Sequence, residues 1–518
     1  MYYFINTSFN QKKSGIEHAQ MKRLALFKNH GAAAQIVTRF FSLTLHKTLQ
    51  DAGLVDTDMV NLFDFFQDSL TFKKRSFKLA DLALNANLQV IPNDDGHSYL
   101  VKDGARLVQR IRLRAPEYTD VETIWTFDRY NKLVKSQWWD WRGFMALEQW
   151  YDVDGQVTVE LVFAPSGKQI YQTFHTKDQH GKLVNSLYRI NDWHGHEYSF
   201  TGEQALMRFF LDELNKANRQ KNVFVADRAF ELSWSLLNMK TRAFKLLHLH
   251  ANHLNNPNNP VTANLNYNYE YAIKNRHSWQ GIIVPTQQQR EDLITRWGDQ
   301  VPIYTLPVGV VSRQTLAAPP VPWNTRHVGQ IIMVARLSPE KQQEKVIAAF
   351  EQIHQRAPQA RLAFWGYANG QEGTRLKKLV TKKKLRNLVT FHDYTRDIAA
   401  VYNQAQILVL ASRSEGFSLA ILEAQSHGLP CVSFAAKYGP QDLISDGVDG
   451  YLVPVNDISA LANTVVRLLN DDDKMQQFSH NAYLAAKRFS EDTVWTKWQV
   501  VFQAVQRFYK TCGQKSSR

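Results

Sequence analysis

Cysteine is nearly absent from the 518 residues: Cys431 and Cys512 are the only two. A disulfide framework and a cysteine-based zinc site are thereby excluded, which fits a reducing cytoplasm. No apolar run approaches the ~20 residues that cross a bilayer. The start, MYYFINTSFN, lacks a basic region followed by a long apolar one, so it reads as a first strand and not as a secretory signal. Helix-turn-helix, zinc-finger and RRM patterns are missing too, so nucleic acid is not expected as a partner. Acidic residues are in deficit, 48 against 62 Lys and Arg, for a net charge of +14. A basic surface attracts acidic polymers and anionic headgroups alike. One basic run, 377–386 (KKLVTKKKLR), has the spacing of a solvated helix face. The rest of the composition, 44% hydrophobic and 21% charged, is that of an ordinary globular chain. Its length exceeds one core, so two or three domains are expected.

Against this background stands SEGFSLAILEAQSHGLPCV, residues 414–432. It lies between two apolar runs, 407–411 and 431–434, that read as buried parallel strands, so the interval is a loop followed by a crossover helix. Gly416 is expected to let the loop fold tightly, Ser418 to cap the helix, and Gly428 with Pro430 to end it. Glu415 then lies in the loop and Glu423 two turns into the helix. Both carboxylates face the carboxyl edge of a parallel sheet, where ligands of doubly wound folds bind. A carboxylate accepts two sugar or ribose hydroxyls at once, and free N–H groups at a helix start favour a phosphate between them.

The remainder of the chain organises around that unit. Ser14-Gly15 sits between a first strand and an amphipathic helix reaching about His30, a turn at which backbone N–H groups could meet a phosphate. From roughly 75 to 200 the texture changes to aromatic-rich alternating segments, with Gly155, Gly167, Gly181 and Gly195 spaced 12 to 14 residues apart. Regular turn signals between alternating strands indicate an antiparallel β-meander inserted into an α/β chain. Strand patterns resume at 222–230 and 244–254. His248 and His250 share a face there and His253 follows, but nothing nearby completes a metal site, and none is expected. The Pro-rich stretch 316–323 reads as a linker. Beyond it, Arg336 and Lys341 bracket a strand-to-helix turn, where both cations could reach one diphosphate. Helix 491–509 carries Trp495, Trp498, Val501, Phe502 and Val505 as a core stripe.

The E-x7-E unit, the strand-end H-x-x-H of His250 and His253, the Arg336-to-Lys341 turn and Tyr438-Gly439 together resemble family 4 retaining glycosyltransferases of the two-lobe GT-B type. The similarity is to the branch of teichoic-acid α-glycosyltransferases and accessory-secretion adhesin glycosyltransferases. It implies an α/β fold of two Rossmann-like lobes, with the first interrupted by the β insertion. The expected boundaries are 1–74 and 201–315 for the first lobe, 75–200 for the insertion, 316–490 for the nucleotide-sugar lobe, and 491–518 for a helix crossing back. The resemblance assigns catalysis to Arg336, Lys341, Glu415 and His250. Donor contacts fall to Ser14, Gly15, His253, Gly366, Tyr394, Thr395, Gly416, Phe417, Ser418, Leu419 and Glu423, with Tyr394 and Thr395 where a uracil ring is held. Gly366 opens a loop reading Gly-Tyr-Ala-Asn-Gly where the family often has Gly-Glu-Gly. The implied substrates are UDP-glucose or UDP-N-acetylglucosamine and an anionic polymer or Ser-rich protein acceptor, with no cofactor and no metal. Further expectations are a cytoplasmic enzyme, peripheral on the inner face of the membrane, that forms homo- or hetero-oligomers through the insertion.

Overall fold

In the computed structural model, which describes residues 1–218 and 221–513, the chain divides into two compact units: Met1–Gln11 with Ala33–Ala243, and Lys12–Ala32 with the rest from Phe244 onward.

In the first unit, β1 (Tyr2–Ile5), β2 (Ala34–Thr38) and β3 (Met59–Asn61) run parallel, and β14 (Val223–Ala226) pairs parallel with the other side of β1. These strands are short and almost wholly buried, as expected of a sheet covered on both faces. The expected strand 222–230 is shorter than its apolar run, because Asp227 and Arg228 turn the chain into a helix that begins at Ala229.

The antiparallel insertion takes the expected form, a meander of ten strands in chain order. They are β4 (Gln89–Pro92), β5 (Ser98–Asp103), β6 (Arg106–Leu113), β7 (Val121–Phe127), β8 (Leu133–Trp139), β9 (Met145–Tyr151), β10 (Val157–Phe163), β11 (Gln169–Lys177), β12 (Leu183–Trp193) and β13 (His196–Phe200). The periodic glycines are its hairpin turns, and all four have positive φ, from 74° to 82°. Ahead of β4, Phe77, Leu79, Leu82, Leu84 and Leu88 pack on a core of Val101, Ile111, Val121 and Ile124.

A buried polar network ties this meander to β3 and its neighbours. The Arg142 guanidinium donates to Asp64 at 2.7 Å, to Asp140 at 2.8 Å and to the Ser69 carbonyl at 2.7 Å. His46 lies between Asp64 (3.1 Å) and Asp56 (2.6 Å).

In the second unit, β15 (Phe244–His248), β16 (Gly281–Val284) and β17 (Ile303–Thr305) run parallel. A six-stranded parallel sheet follows, built from β18 (Gln330–Val334), β19 (Arg361–Trp365), β20 (Val389–His392), β21 (Ile407–Leu410), β22 (Cys431–Phe434) and β23 (Gly450–Val453). Its order, β20-β19-β18-β21-β22-β23, reverses direction between β18 and β21. That is the switch point of a doubly wound sheet, where a crevice opens at the carboxyl ends. The fold class is therefore the expected one: Rossmann-like parallel α/β with an antiparallel β insertion.

The final helix, Glu491–Gly513, is longer than its stripe of apolar residues. It packs Trp495, Trp498 and Phe502 edge-on around Phe27 of the helix Gly15–Asn29. The basic run 377–386 is only partly helical, since its helix ends at Lys382. The expected 316–323 linker begins inside a short helix, Arg313–Ala317, capped by the Ser312 hydroxyl.

Candidate active site

The loop after β21 reaches the carboxyl edge and turns into the helix Leu419–Ser426. Two local expectations are corrected here. Gly416 has no positive φ. It is required by contact, because a Cβ there would stand 2.3 Å from the His250 carbonyl oxygen. Ser418 occupies the cap position but at φ 76°, and its hydroxyl caps nothing. What holds the loop is its own backbone. Glu415 N–H donates to the Lys437 carbonyl at 3.1 Å, and Tyr438 N–H returns to the Glu415 carbonyl at 2.6 Å. Gly439 has no space for a side chain, with the Phe417 carbonyl 1.9 Å from where a Cβ would sit. Phe417 is buried edge-on against Phe489, and Leu419 is half-buried.

With its main chain fixed, Glu415 aims its carboxylate at Lys341, which donates at 2.6 Å. The two side chains keep 11% and 20% of their exposure, so the pair is reachable from solvent. Lys341 ends the short 3₁₀ turn Pro339–Lys341 after β18, and Arg336 opens that turn. The Arg336 guanidinium is 41% exposed and pairs with its neighbour Glu340 at 3.2 Å. The turn itself is anchored by Gln343, whose amide donates to the Arg336 carbonyl at 2.7 Å, and by Arg413 N–H, which donates to the Glu340 carbonyl at 3.1 Å. Two cations and a carboxylate are thus presented on rigid backbone, which suits binding of an anion whose charge grows.

Glu423 has different partners. One carboxylate oxygen accepts from Lys22 at 3.0 Å and the other from the Tyr402 hydroxyl at 3.2 Å. Burial pushes its carboxyl up, but Lys22, His18 and Tyr402 together leave it below the ordinary glutamate value. One turn before Lys22, His18 lies against Tyr394, ring to ring at 6.0 Å and 28°. Burial pushes the His18 imidazole down and the Tyr394 hydroxyl up, so both are neutral near pH 7. The hydroxyl of Thr395 accepts from Asp397 N–H at 3.2 Å. Gly366 has φ 141°, and a Cβ would meet the Ala335 carbonyl at 2.2 Å, so only glycine lets β18 and β19 end this close together.

The two predicted histidines pack behind the Glu415 loop. β15 ends at His248, so His250 and His253 lie in the loop beyond it and not on the strand. His250 is half-buried, and its N–H donates to the Tyr269 hydroxyl at 3.1 Å. His253 is wholly buried, contacts the Gln289 amide at 3.2 Å and stacks on Tyr438 at 6.0 Å and 12°. Burial pushes its imidazole down to about 4, so it is neutral across ordinary pH. His253 therefore backs the Tyr438 turn and does not join His248, whose Nδ1 is 2.7 Å from the Arg23 guanidinium. Ser14 and Gly15 open the helix Gly15–Asn29, with Ser14 N–H donating to Glu17 at 2.6 Å and open space beside Gly15. Lys22, His18 and Tyr402 escaped the sequence reading. The signal available was the i, i+4 spacing of His18 and Lys22, which puts them on one helix face.

Residues 327–485 match the family described as Glycosyl transferases group 1. Over 98% of this chain and 99% of the relative, 25% of residues are identical to the UDP-N-acetylglucosamine--peptide N-acetylglucosaminyltransferase GtfA subunit of Streptococcus agalactiae. The poly(glycerol-phosphate) alpha-glucosyltransferase of Bacillus subtilis (strain 168) is 24% identical over 99% of this chain and 77% of its own length. A crystal structure of the pneumococcal O-GlcNAc transferase GtfA, in complex with UDP and GlcNAc, shares the fold at a TM-score of 0.81 and 20% identity, covering 98% of this chain and 99% of that one. The segment 327–485 is a group 1 glycosyltransferase domain, and the chain is a glycosyltransferase of the hexosyltransferase class related to both kinds of enzyme.

Proposed function

We propose that this enzyme is a retaining α-glycosyltransferase that moves glucose or N-acetylglucosamine from a UDP-sugar to hydroxyls of a polyol-phosphate wall polymer. The observation that carries the donor half is the Lys341–Glu415 pair at 2.6 Å, held on rigid backbone beside Arg336. A bound diphosphate takes up the Lys341 and Arg336 charges and releases Glu415 to accept sugar hydroxyls. As the glycosidic bond breaks, negative charge accumulates on the diphosphate, and the two cations stabilise it without a metal. Glu423 accepts from the ribose hydroxyls in exchange for Lys22. Tyr394 and Thr395 hold the uracil through their backbone, and His250 meets the transferred sugar. The acceptor hydroxyl attacks from the face the diphosphate leaves and gives its proton to the departing diphosphate oxygen, so the anomeric configuration is retained.

The net charge of +14 supports a polyanionic acceptor, and the B. subtilis relative acts on such a polymer by its name. The same basic balance supports peripheral association with an anionic membrane face, and among the described residues no helix is long and apolar enough to cross one. A second reading keeps the donor and makes the acceptor Ser or Thr in a Ser-rich surface protein. It is favoured by the match over 99% of a peptide N-acetylglucosaminyltransferase whose name is that of a subunit, which also supports assembly with a partner protein. UDP release from each UDP-sugar, measured with defined polyol-phosphate oligomers and with a Ser-rich peptide, separates the readings. Turnover on the oligomers that persists in EDTA is expected. Turnover on the peptide alone selects the second acceptor, and sugar-polymer binding with no UDP release from any pair would leave only a non-catalytic partner.

A further inference from the structure

A cavity of about 170 Å³ lies in the first unit, in a part of the fold that the donor site does not use. Its floor is the carboxyl edge of the parallel strands: Arg39 and Phe41 follow β2, and the residues opening the next helix follow β3. That edge is where α/β sheets bind ligands. Its roof is the meander, which contributes Glu160, Tyr171 and Tyr188, and Glu203 closes one side from the start of a helix.

The lining is amphipathic in a specific way. Aromatic faces are fixed by edge-to-face packing, Phe41 on Phe63 and Phe63 on Tyr171, both at 5.1 Å. Between them stand groups that donate and groups that accept. Burial pushes both tyrosine hydroxyls up, so each remains a neutral donor. Arg39 pairs with Glu203 at 3.1 Å, which leaves its buried Nε with no partner. Glu160 accepts one bond on each oxygen, from Gln149 at 2.7 Å and His175 at 3.0 Å, and retains lone pairs for a further donor. Two carboxylates against one already paired guanidinium disfavour a phosphate. Aromatic walls with mixed donors and acceptors suit a neutral ring that has C–H faces and hydroxyl edges. At about 170 Å³ the space is on the scale of one six-membered ring.

We infer that this cavity binds a single neutral pyranose ring. The inference stands on the cavity alone. Under the proposed transfer reaction the ring is a sugar already attached to the acceptor, held while the next hydroxyl reacts.

The test is saturation-transfer NMR on the intact protein with methyl α-glucopyranoside and methyl N-acetyl-α-glucosaminide, with and without saturating UDP. Saturable binding with a Kd on the order of 1 mM is expected, unaffected by UDP. Tyr188→Phe combined with Glu160→Gln should weaken it about fivefold or more through lost hydrogen bonds, and Val162→Phe, which fills the space from the β10 wall that lines it, should abolish it. If Val162→Phe lowers the melting temperature, the milder pair decides. Absence of saturable binding overturns the inference. So does binding that survives these substitutions in folded protein, or tighter binding of glycerol 3-phosphate than of either sugar. None of these outcomes touches UDP-sugar turnover, so the cavity and the transfer reading fail separately.

Discussion

Two arrays of charged side chains in this enzyme are made of the same chemistry and do opposite things. Arg142 with Asp64, Asp140 and His46 is buried, with 2% exposure at the arginine and 7% at Asp64, and its guanidinium is spent on carboxylates and a carbonyl. Lys341–Glu415 and Lys22–Glu423 each keep a fraction of their surface, and each cation faces its carboxylate through a single contact. A buried network with no spare capacity specifies how elements pack, because removing one member strands the others without water. A half-open pair exchanges its partner for a ligand at small cost, since water already shares its screening. Exposure and spare valence, more than residue type, separate a strut from a site.

Breaking the strut gives the largest expected effect. Arg142→Met leaves Asp64 and Asp140 buried without their cation and should cost about 3–5 kcal/mol of stability, read as a fall in the urea midpoint. Where the variant is still folded, its kcat should be close to that of the parent. A loss below about 1 kcal/mol, the range of exposed pairs, would erase the distinction drawn between the arrays.

The open pair should behave in reverse. Under the proposed reaction Lys341→Ala removes stabilisation that grows as the diphosphate departs, so kcat should fall on the order of 100-fold or more. Its melting temperature should hardly move. Glu423, which under the proposed reaction holds ribose hydroxyls whose charge changes little, should on substitution by Ala mainly raise KM for the UDP-sugar, with folding checked by circular dichroism. An intact kcat in Lys341→Ala together with a lost kcat in folded Glu423→Ala would reverse the two roles.

The strut also carries a pH signature. Hydrogen bonds and the Arg142 charge outweigh burial and hold the Asp64 carboxyl down at about 2. Its contribution is therefore complete above the unfolded value of about 4 and lost as pH falls toward 2. His46 has the opposite sign. Burial pushes the imidazole down, but Asp64 and Asp56 bring it above its ordinary value. Its contribution is complete below about 6.5 and lost as pH rises through the folded value. Thermal melts across pH should decline on both sides, and His46→Asn should flatten the alkaline side while also shifting the acid side, because His46 helps to hold the Asp64 carboxyl down. An unchanged alkaline side in His46→Asn removes histidine from the account.

The difference between the arrays also explains what the sequence made legible. The parallel and antiparallel textures were readable because burial on one or two faces imposes a period, and the turn glycines of the meander mark each reversal. The E-x7-E unit was readable because loop, helix and strand are consecutive. Lys22 and His18 were not, because they reach Glu423 and Tyr394 from about four hundred residues away, and nothing local distinguishes a lysine on a helix face from a solvated one. The same limit applied to Arg142, whose place in the aromatic-rich insertion gave no hint of Asp64. His253, to which the resemblance assigns a donor contact, is buried against Tyr438, whose backbone bonds hold the loop carrying Glu415.

Lys22 is the smallest perturbation and the one that refines the contrast most. It is half-open like Lys341, but its ammonium faces a carboxylate that, in the proposed role, must remain ionised to accept ribose hydroxyls. Burial acts to raise the Glu423 carboxyl, and the Lys22 charge is the largest influence opposing it. In Lys22→Met the carboxyl should rise above its present value, so Glu423 protonates at higher pH. The acid limb of kcat/KM for the UDP-sugar should then shift upward, while kcat at pH 8 changes by less than about threefold because no reacting group is touched. Lys22→Arg should restore the parent profile by returning the charge. An acid limb that stays in place in Lys22→Met, or one that moves equally in Lys22→Arg, means the lysine only packs against the helix and leaves Glu423 to Tyr402.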